Sequence, residues 1–248
     1  MSLLVVLPVF NEEGALDALL RRFVALAGAL PLRLIVVDDG SSDASLAVIE
    51  RFAGALPIEV LKNETNRGLG VTIQRGLARA AANAVPGDVV VTMDADNTHP
   101  PEMIPAMLAK LERGYDLVIA SRYEGDAQVV GLSLFRRAMT LGARLLFRVL
   151  IPIPGVRDYT CGFRAYRAEL LVRLGGQLAE ERGFACMAEI LLKCAAAGAR
   201  IGEAPLELRY DLKGGPSKMN VPATALKILR LAWRNRTVAR RAPKQPRP

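Results

Sequence analysis

Val89-Val90-Val91-Thr92-Met93-Asp94-Ala95-Asp96 is an apolar, β-branched run that stops abruptly at two acids. A run so short and so rich in valine reads as a strand buried on both faces. Two carboxylates two residues apart at such a strand end can face one hard cation, and the small Ala95 keeps the backbone close. Mg²⁺ and Mn²⁺ suit this pair, because they take few protein oxygens and fill their other positions with water and phosphate. A cation held there would neutralise a diphosphate leaving group. The competing reading is structural: Asp96 and Asn97 could cap a turn or helix ahead of Pro101.

Working outward, the same pattern recurs. Residues 3–7, 34–37, 58–61, 89–93 and 117–120 read as strands, and 13–29, 45–55, 71–82 and 101–113 have helical spacing. This alternation predicts an α/β fold with a mostly parallel sheet flanked by helices. Ligands bind such sheets at the carboxyl ends of the strands, near a topological switch point. Three polar clusters fall there: Asn11-Glu12-Glu13, Asp38-Asp39-Gly40-Ser41-Ser42-Asp43 and Asp94-Ala95-Asp96.

The second half is less regular. Residues 131–151 form an Arg-studded amphipathic stretch, 158–166 read as a loop or turn, 184–197 as a helix and 205–210 as a late strand. Gly214-Gly215-Pro216 marks a loop before a basic helix over 222–241. The expected organisation is one domain over 1–220, with 131–151 as an interface region inside it, and a basic C-terminal helix and tail over 221–248.

Asp38 and Asp39 are adjacent acids at a buried sheet edge. They repel unless one holds a ligand, such as the donor groups of a base or the hydroxyls of a ribose. Asp43 reads as a cap for the helix near Ser45. Glu12 follows Pro8-Val9-Phe10-Asn11, where an aromatic face and a carboxylate could hold a nucleobase; a first-turn acid favoured by the helix dipole is the plainer alternative. No GxxxxGK is present, and Gly68-Leu69-Gly70 lacks the spacing of a dinucleotide fingerprint. His99, the one histidine, reads as helix-entry structure. Cys161, Cys186 and Cys194 form no CxxC, so reduced thiols in a cytoplasmic protein are expected.

The net charge of +8 over 248 residues is unevenly placed. All acids lie at or before Asp211, and ten basic residues follow it, so the body is near neutral and the tail basic. Such a tail could serve anionic lipid, nucleic acid or nothing specific. Without interleaved aromatics or a binding motif, nucleic acid is set aside. No run reaches the roughly 20 apolar residues of a transmembrane span. In 131–151, Ser133, Arg137, Thr140, Arg144 and Arg148 share one helical face with Arg136 at its edge, while Leu132, Phe135, Met139, Leu146, Val149 and Leu150 gather opposite. A helix of this kind could lie in the headgroup region of an anionic surface, or pack as an ordinary core helix.

Together Leu7-Pro8-Val9-Phe10-Asn11-Glu12-Glu13, Val37-Asp38-Asp39-Gly40-Ser41-Ser42-Asp43, Asn66-Arg67-Gly68-Leu69-Gly70 and Met93-Asp94-Ala95-Asp96 resemble the successive motifs of the family 2 glycosyltransferases with a GT-A fold. Asp96-Asn97-Thr98-His99-Pro100, Ser121-Arg122-Tyr123, Asp158-Tyr159-Thr160-Cys161-Gly162-Phe163-Arg164-Ala165-Tyr166 and Ser217-Lys218 resemble the dolichol-phosphate (polyprenyl-phosphate) mannose synthases more narrowly. The resemblance covers roughly residues 3–220. It implies nucleoside binding by Pro8, Phe10, Glu12 and Asp39, with Asp38 beside them, and Mg²⁺ or Mn²⁺ on Asp94 and Asp96. Thr98 stands where relatives often have Gln or Ser, and Cys161 where they have Ser. Arg122, Arg136, Thr140 and Lys218 would handle the donor and acceptor phosphates, Arg122 and Arg136 acting with the two metal acids in catalysis.

The implied reaction is an inverting transfer of a sugar, mannose from GDP-mannose first among the candidates, to a polyprenyl or dolichyl phosphate at the cytoplasmic membrane face. Peripheral attachment to an anionic surface, or delivery by a membrane-protein partner, would bring the enzyme to its acceptor. The alternatives are a UDP-sugar donor, or a glycan hydroxyl acceptor with Asp158 as the general base.

Overall fold

The computed structural model describes residues 2–132, 134–175, 178–213, 227, 229–231 and 233; side chains at 134–137, 139 and 143 lie outside the described residues. The strands are β1 (Leu3–Val9), β2 (Leu32–Asp38), β3 (Ile58–Lys62), β4 (Val89–Thr92), β5 (Leu117–Ser121), β6 (Gln128–Val130), β7 (Arg164–Arg167), β8 (Ile201–Pro205) and β9 (Glu207–Arg209). The helices are α1 (Glu13–Ala27), α2 (Ser45–Glu50), α3 (Leu69–Asn83), α4 (Ile104–Glu112), α5 (Leu134–Leu150), α6 (Ala168–Leu174) and α7 (Cys186–Ala196).

Seven strands form one sheet in the order β3-β2-β1-β4-β7-β5-β8. β1 pairs in parallel with β2 and β4, β2 with β3, and β5 with β8, whereas β7 runs antiparallel between β4 and β5. The mostly parallel sheet flanked by helices is as expected, and its central strands bear out the continuous apolar runs: every residue of β4 and β5 is buried. The chain adds strands to one side of β1 and then returns to its other side at β4. The crevice between the ends of β1 and β4 is therefore the topological switch point.

Helices close the faces through apolar stripes. α1 turns Ala15, Leu16, Leu19, Leu20 and Phe23 inward. α3 lies closer to the sheet, because a Cβ on Gly76 would meet Val6 Cγ1 at 2.3 Å. Before α3, Gly68 (φ +91°) and Gly70 let residues 181 and 182 pass over the helix start, where Gly70 N donates to the Arg182 carbonyl at 2.8 Å. The Gly68-Leu69-Gly70 run thus serves a chain crossing.

Several expectations change. The 158–166 loop ends in β7, buried at Arg164, Ala165 and Tyr166. The late strand expected over 205–210 is β9, which pairs in parallel with β6 as a two-stranded ribbon, and β8 just before it, an edge strand of the main sheet, was not anticipated. α2 is shorter than expected and passes into turns after Glu50. In α5, Phe147 is fully buried and Leu146 and Leu150 pack on the core, while Leu141, Leu145 and Val149 form an exposed apolar stripe at i, i+4, i+8. Of the apolar positions gathered by spacing, Leu146 and Leu150 thus turn to the core while Val149 stays exposed. The Gly214-Gly215-Pro216 loop and most of the 222–241 helix lie outside the described residues.

Candidate active site

Parallel pairing sends the C-terminal ends of β1, β2, β4 and β5 to one edge of the sheet. The antiparallel β7 enters from that same edge, so the segment 158–163 joins them. Every strand-end cluster of the sequence meets here.

At the ends of β1 and β2, two loops are laced together. Asn11, at φ +51°, accepts from Ser42 N at 2.8 Å and donates its own N–H to Ser41 Oγ at 3.0 Å. Glu12 N donates to Ser45 Oγ at 2.8 Å, and Glu13 Oε2 accepts from Ala44 N at 2.8 Å. Asp43 accepts from Ser45 N at 3.0 Å and from Glu13 N at 3.1 Å, so it ties the two loops together one residue ahead of the helix cap position, which is Ala44. Pro8, Phe10 and Glu12 are half-buried along this wall. Asp38 accepts from Ser41 N within its own turn. Asp39 is buried, and its carboxylate accepts from Asn63 Nδ2 at 2.7 Å and from the backbone N–H groups of Arg67 and Gly68, each at 2.9 Å. It fixes the loop before α3, a task the sequence did not announce.

At the end of β4, Asp94 keeps 38% of its side chain open and Asp96 only 10%. Gly162 faces Asp94, where a Cβ would lie 3.2 Å from Oδ1, and Thr92 Oγ1 donates to the Gly162 carbonyl at 2.7 Å to hold that approach. Asp96 Oδ1 accepts from Thr98 N at 3.2 Å and Thr98 Oγ1 at 2.7 Å, so the Thr98 hydroxyl acts on the acid itself. Asp96 Oδ2 takes the ammonium of Lys213. Burial pushes the Asp96 carboxyl up, but Lys213 and His99 outweigh it and hold it below the ordinary carboxylate value. Burial likewise lowers Lys213, and Asp96 more than reverses this. His99 is buried, accepts from Asp94 N at 3.3 Å, lies 3.9 Å from the Asp94 carboxylate and packs on Phe163 at 5.4 Å, so it stands against the acid pair as well as at the helix entry.

The donor set fits a hard divalent cation. Two carboxylates sit at one strand end, and an ammonium already stands on one of them as a cation would. Among the described residues no group of three or more His, Cys, Asp or Glu converges, so the other positions would fall to water and phosphate oxygens.

At the end of β5, Arg122 is held by Asp158: Nε to Oδ2 at 2.7 Å, Nη2 to Oδ1 at 2.6 Å, with Arg122 N also on Oδ2 at 3.1 Å. Thr160 N and Cys161 N donate to the same carboxylate at 3.2 and 3.1 Å. Burial works against both charges, but each stabilises the other, lowering the Asp158 pKa and raising that of Arg122. Arg144, on the polar face of α5, places its guanidinium carbon 4.3 Å from the centre of the Tyr123 ring, and Arg122 lies 5.7 Å from the same centre. Arg144 was read as part of a helical face; its meeting with the Ser121-Arg122-Tyr123 motif needed the tertiary fold. Thr140 is half-buried one turn before it. The Arg136 side chain and the whole of Lys218 lie outside the described residues.

The Glycosyl transferase family 2 description matches residues 4–175. The chain is 32% identical over 194 residues to a dolichol-phosphate mannosyltransferase of Pyrococcus furiosus, covering 78% of this chain and 53% of that one. It is 32% identical over 222 residues to an undecaprenyl-phosphate mannosyltransferase of Micrococcus luteus, covering 89% and 88%. An undecaprenyl-phosphate 4-deoxy-4-formamido-L-arabinose transferase of Klebsiella pneumoniae is 36% identical over 170 residues, 67% of this chain and 49% of that one. The chain thus spans about half the length of two of these relatives. The fold matches glucosyl-3-phosphoglycerate synthase of Mycobacterium tuberculosis, solved with Mn²⁺ and uridine diphosphate, at a TM-score of 0.70 and 23% identity over 94% of this chain and 79% of that one. With the family description spanning most of the sheet and its strand-end motifs, the chain belongs to glycosyl transferase family 2.

Proposed function

We propose that the chain transfers a sugar from a nucleotide-sugar donor to a polyprenyl phosphate, with inversion and with the help of Mg²⁺ or Mn²⁺. The observation that carries this reading is the state of Asp158. Its carboxylate holds five donors, is buried and has a lowered pKa. A carboxylate so engaged is a poor general base for a sugar hydroxyl. A phosphate monoester needs no such base, because its second pKa is about 6 and it is already a nucleophile near neutral pH. The names of the relatives support the lipid phosphate as acceptor.

Asp94 and Asp96 would hold the cation, which when bound neutralises charge on the diphosphate leaving group. Pro8, Phe10, Glu12, Asp38 and Asp39 border the nucleoside side of the crevice. Arg122, locked in orientation by Asp158, lies within electrostatic reach of Asp94, and Arg144 packs against the same Tyr123 ring. Arg136, Thr140 and Lys218 belong to the acceptor phosphate in this reading. Such groups act by fixing the attacking oxygen in line and stabilising charge without reorganisation. Mannose from GDP-mannose is the first donor to test.

The test is incubation with radiolabelled GDP-mannose or UDP-glucose and mixed polyprenyl phosphates, followed by organic extraction. Label should enter the lipid phase in an acid-labile, metal-dependent product with one donor. Asp94→Asn and Asp96→Asn should each abolish transfer while keeping the wild-type circular dichroism spectrum. Undiminished transfer by both variants in EDTA would remove the metal site, and label appearing only on added glycans would remove the lipid acceptor.

A further inference from the structure

We infer that Lys213 is a built-in counter-cation of the Asp94–Asp96 site, which the divalent ion must displace in order to bind. The inference rests on the metal site proposed above. Of the two Asp96 oxygens, Oδ1 is committed to the N–H and hydroxyl of Thr98. Oδ2 is the oxygen left for a cation, and Lys213 Nζ already contacts it.

The placement of Lys213 is enforced by the fold. β9 is stitched to the acidic loop, Arg209 N donating to the Thr98 carbonyl at 3.0 Å. The short turn Tyr210–Leu212 then delivers Lys213, whose ammonium also lies 5.3 Å from the centre of the Tyr210 ring. Only 15% of the Lys213 side chain remains exposed. With the ammonium in place, the more buried of the two acids is paired, and the crevice does not have to hold two uncompensated charges.

A divalent ion on Oδ2 and an ammonium on the same oxygen would repel each other strongly in this confined setting. Binding of one therefore excludes the other, and the apparent metal affinity is lowered by the fraction of molecules in which Lys213 is seated. A nucleotide diphosphate changes the balance, because it brings negative charge to which both the metal and a released lysine are attracted. Metal and nucleotide-sugar would then bind as a cooperative pair, and the nucleotide-free protein would take up metal reluctantly.

The test reads metal binding, not turnover. Mn²⁺ is titrated into the nucleotide-free chain and free Mn²⁺ is followed by electron paramagnetic resonance, for wild type, Lys213→Met and Lys213→Arg. Lys213→Met should bind Mn²⁺ more tightly, by a factor within the range of about 5–150 typical of coupled sites; Lys213→Arg should stay close to wild type. In parallel, the side-chain ¹⁵Nζ resonance of Lys213, assigned by its absence in Lys213→Arg, should move on addition of diamagnetic Mg²⁺. Equal affinities for wild type and Lys213→Met, or a Lys213 resonance that saturating Mg²⁺ leaves in place, overturn the inference and spare the metal site. Failure of all three proteins to bind Mn²⁺, with or without nucleoside diphosphate, overturns the metal site and the inference together.

Discussion

Asp158 shows how one residue decides between two chemistries. Read from the sequence it could be a base; in the fold it is the clamp that orients Arg122. Its carboxyl pKa lies below the ordinary value, so the pair's contribution to stability is complete above the unfolded pKa of about 3.9 and is lost as the pH falls through the lower folded value. Asp158→Asn should therefore destabilise by about 3–5 kcal/mol at pH 7, the range for breaking a buried ion pair. The gap between wild type and variant should begin to narrow below about pH 4, where the unfolded chain's carboxyl takes a proton while the folded one, with its lowered pKa, still holds its charge. Thermal unfolding followed by circular dichroism from pH 3 to 8 checks both statements, and a constant gap across that range would contradict them. Asp94 and Asp96 were legible because strand end and spacing are local properties. The meeting of Lys213 with Asp96 and of Arg144 with Tyr123 was not, since each joins residues that only the folded chain brings together.

β7 explains the main misreading among the elements. A strand of four residues bounded by Arg164 and Arg167 carries too much charge to announce itself as buried sheet. The fold resolves this by giving both arginines backbone partners. Arg164, fully buried, donates to the carbonyls of Cys161, Tyr159 and Met187, and Arg167 donates to those of Tyr115 and Leu111. β8 went unread because Gly202 and Glu203 interrupt its apolar run, although the fold buries both positions. The start of α3 makes the opposite case, a motif that was visible but had no evident task. A Cβ at Gly70 would lie 1.8 Å from the Glu181 carbonyl oxygen, whereas one at Gly54 meets nothing within 4 Å. Gly70→Ala should cost about 1–3 kcal/mol through forced displacement of that crossing, and Gly54→Ala should be neutral or slightly stabilising. Urea unfolding of the two variants separates packing from backbone entropy; equal effects would mean that the crossing yields freely.

At the scale of the whole molecule, the basic excess and the exposed apolar surface fall in the same late regions of the chain. No described helix is long and apolar enough to cross a membrane. α5 nonetheless exposes Leu141, Leu145 and Val149 at 56%, 64% and 69%, on a helix that also carries Arg144 and the exposed Arg148. Beyond it, Leu229 and Trp233 are 45% and 65% exposed, while Leu231 is buried and Lys227 pairs with Glu181 at 3.3 Å. Leu150 and Trp233 line one cleft, so this segment packs beside the end of α5. Exposed leucines flanked by arginines suit the boundary between headgroups and acyl chains, and each basic residue near an anionic surface adds roughly 1 kcal/mol. The expected outcome is sedimentation with partly anionic liposomes and not with neutral ones. Salt at about 0.5 M should release the protein, because screening acts within about 10 Å already at 0.1 M. Leu145→Glu together with Val149→Glu should abolish the attachment without lowering thermal stability, since both side chains face solvent. Truncation after Asn220 should weaken it by removing most of the basic tail. A full chain that stays in the supernatant with anionic vesicles at low salt would mean that a membrane-protein partner delivers it or that its acceptor is not a lipid, and the extraction assay with soluble acceptors would then tell these two apart.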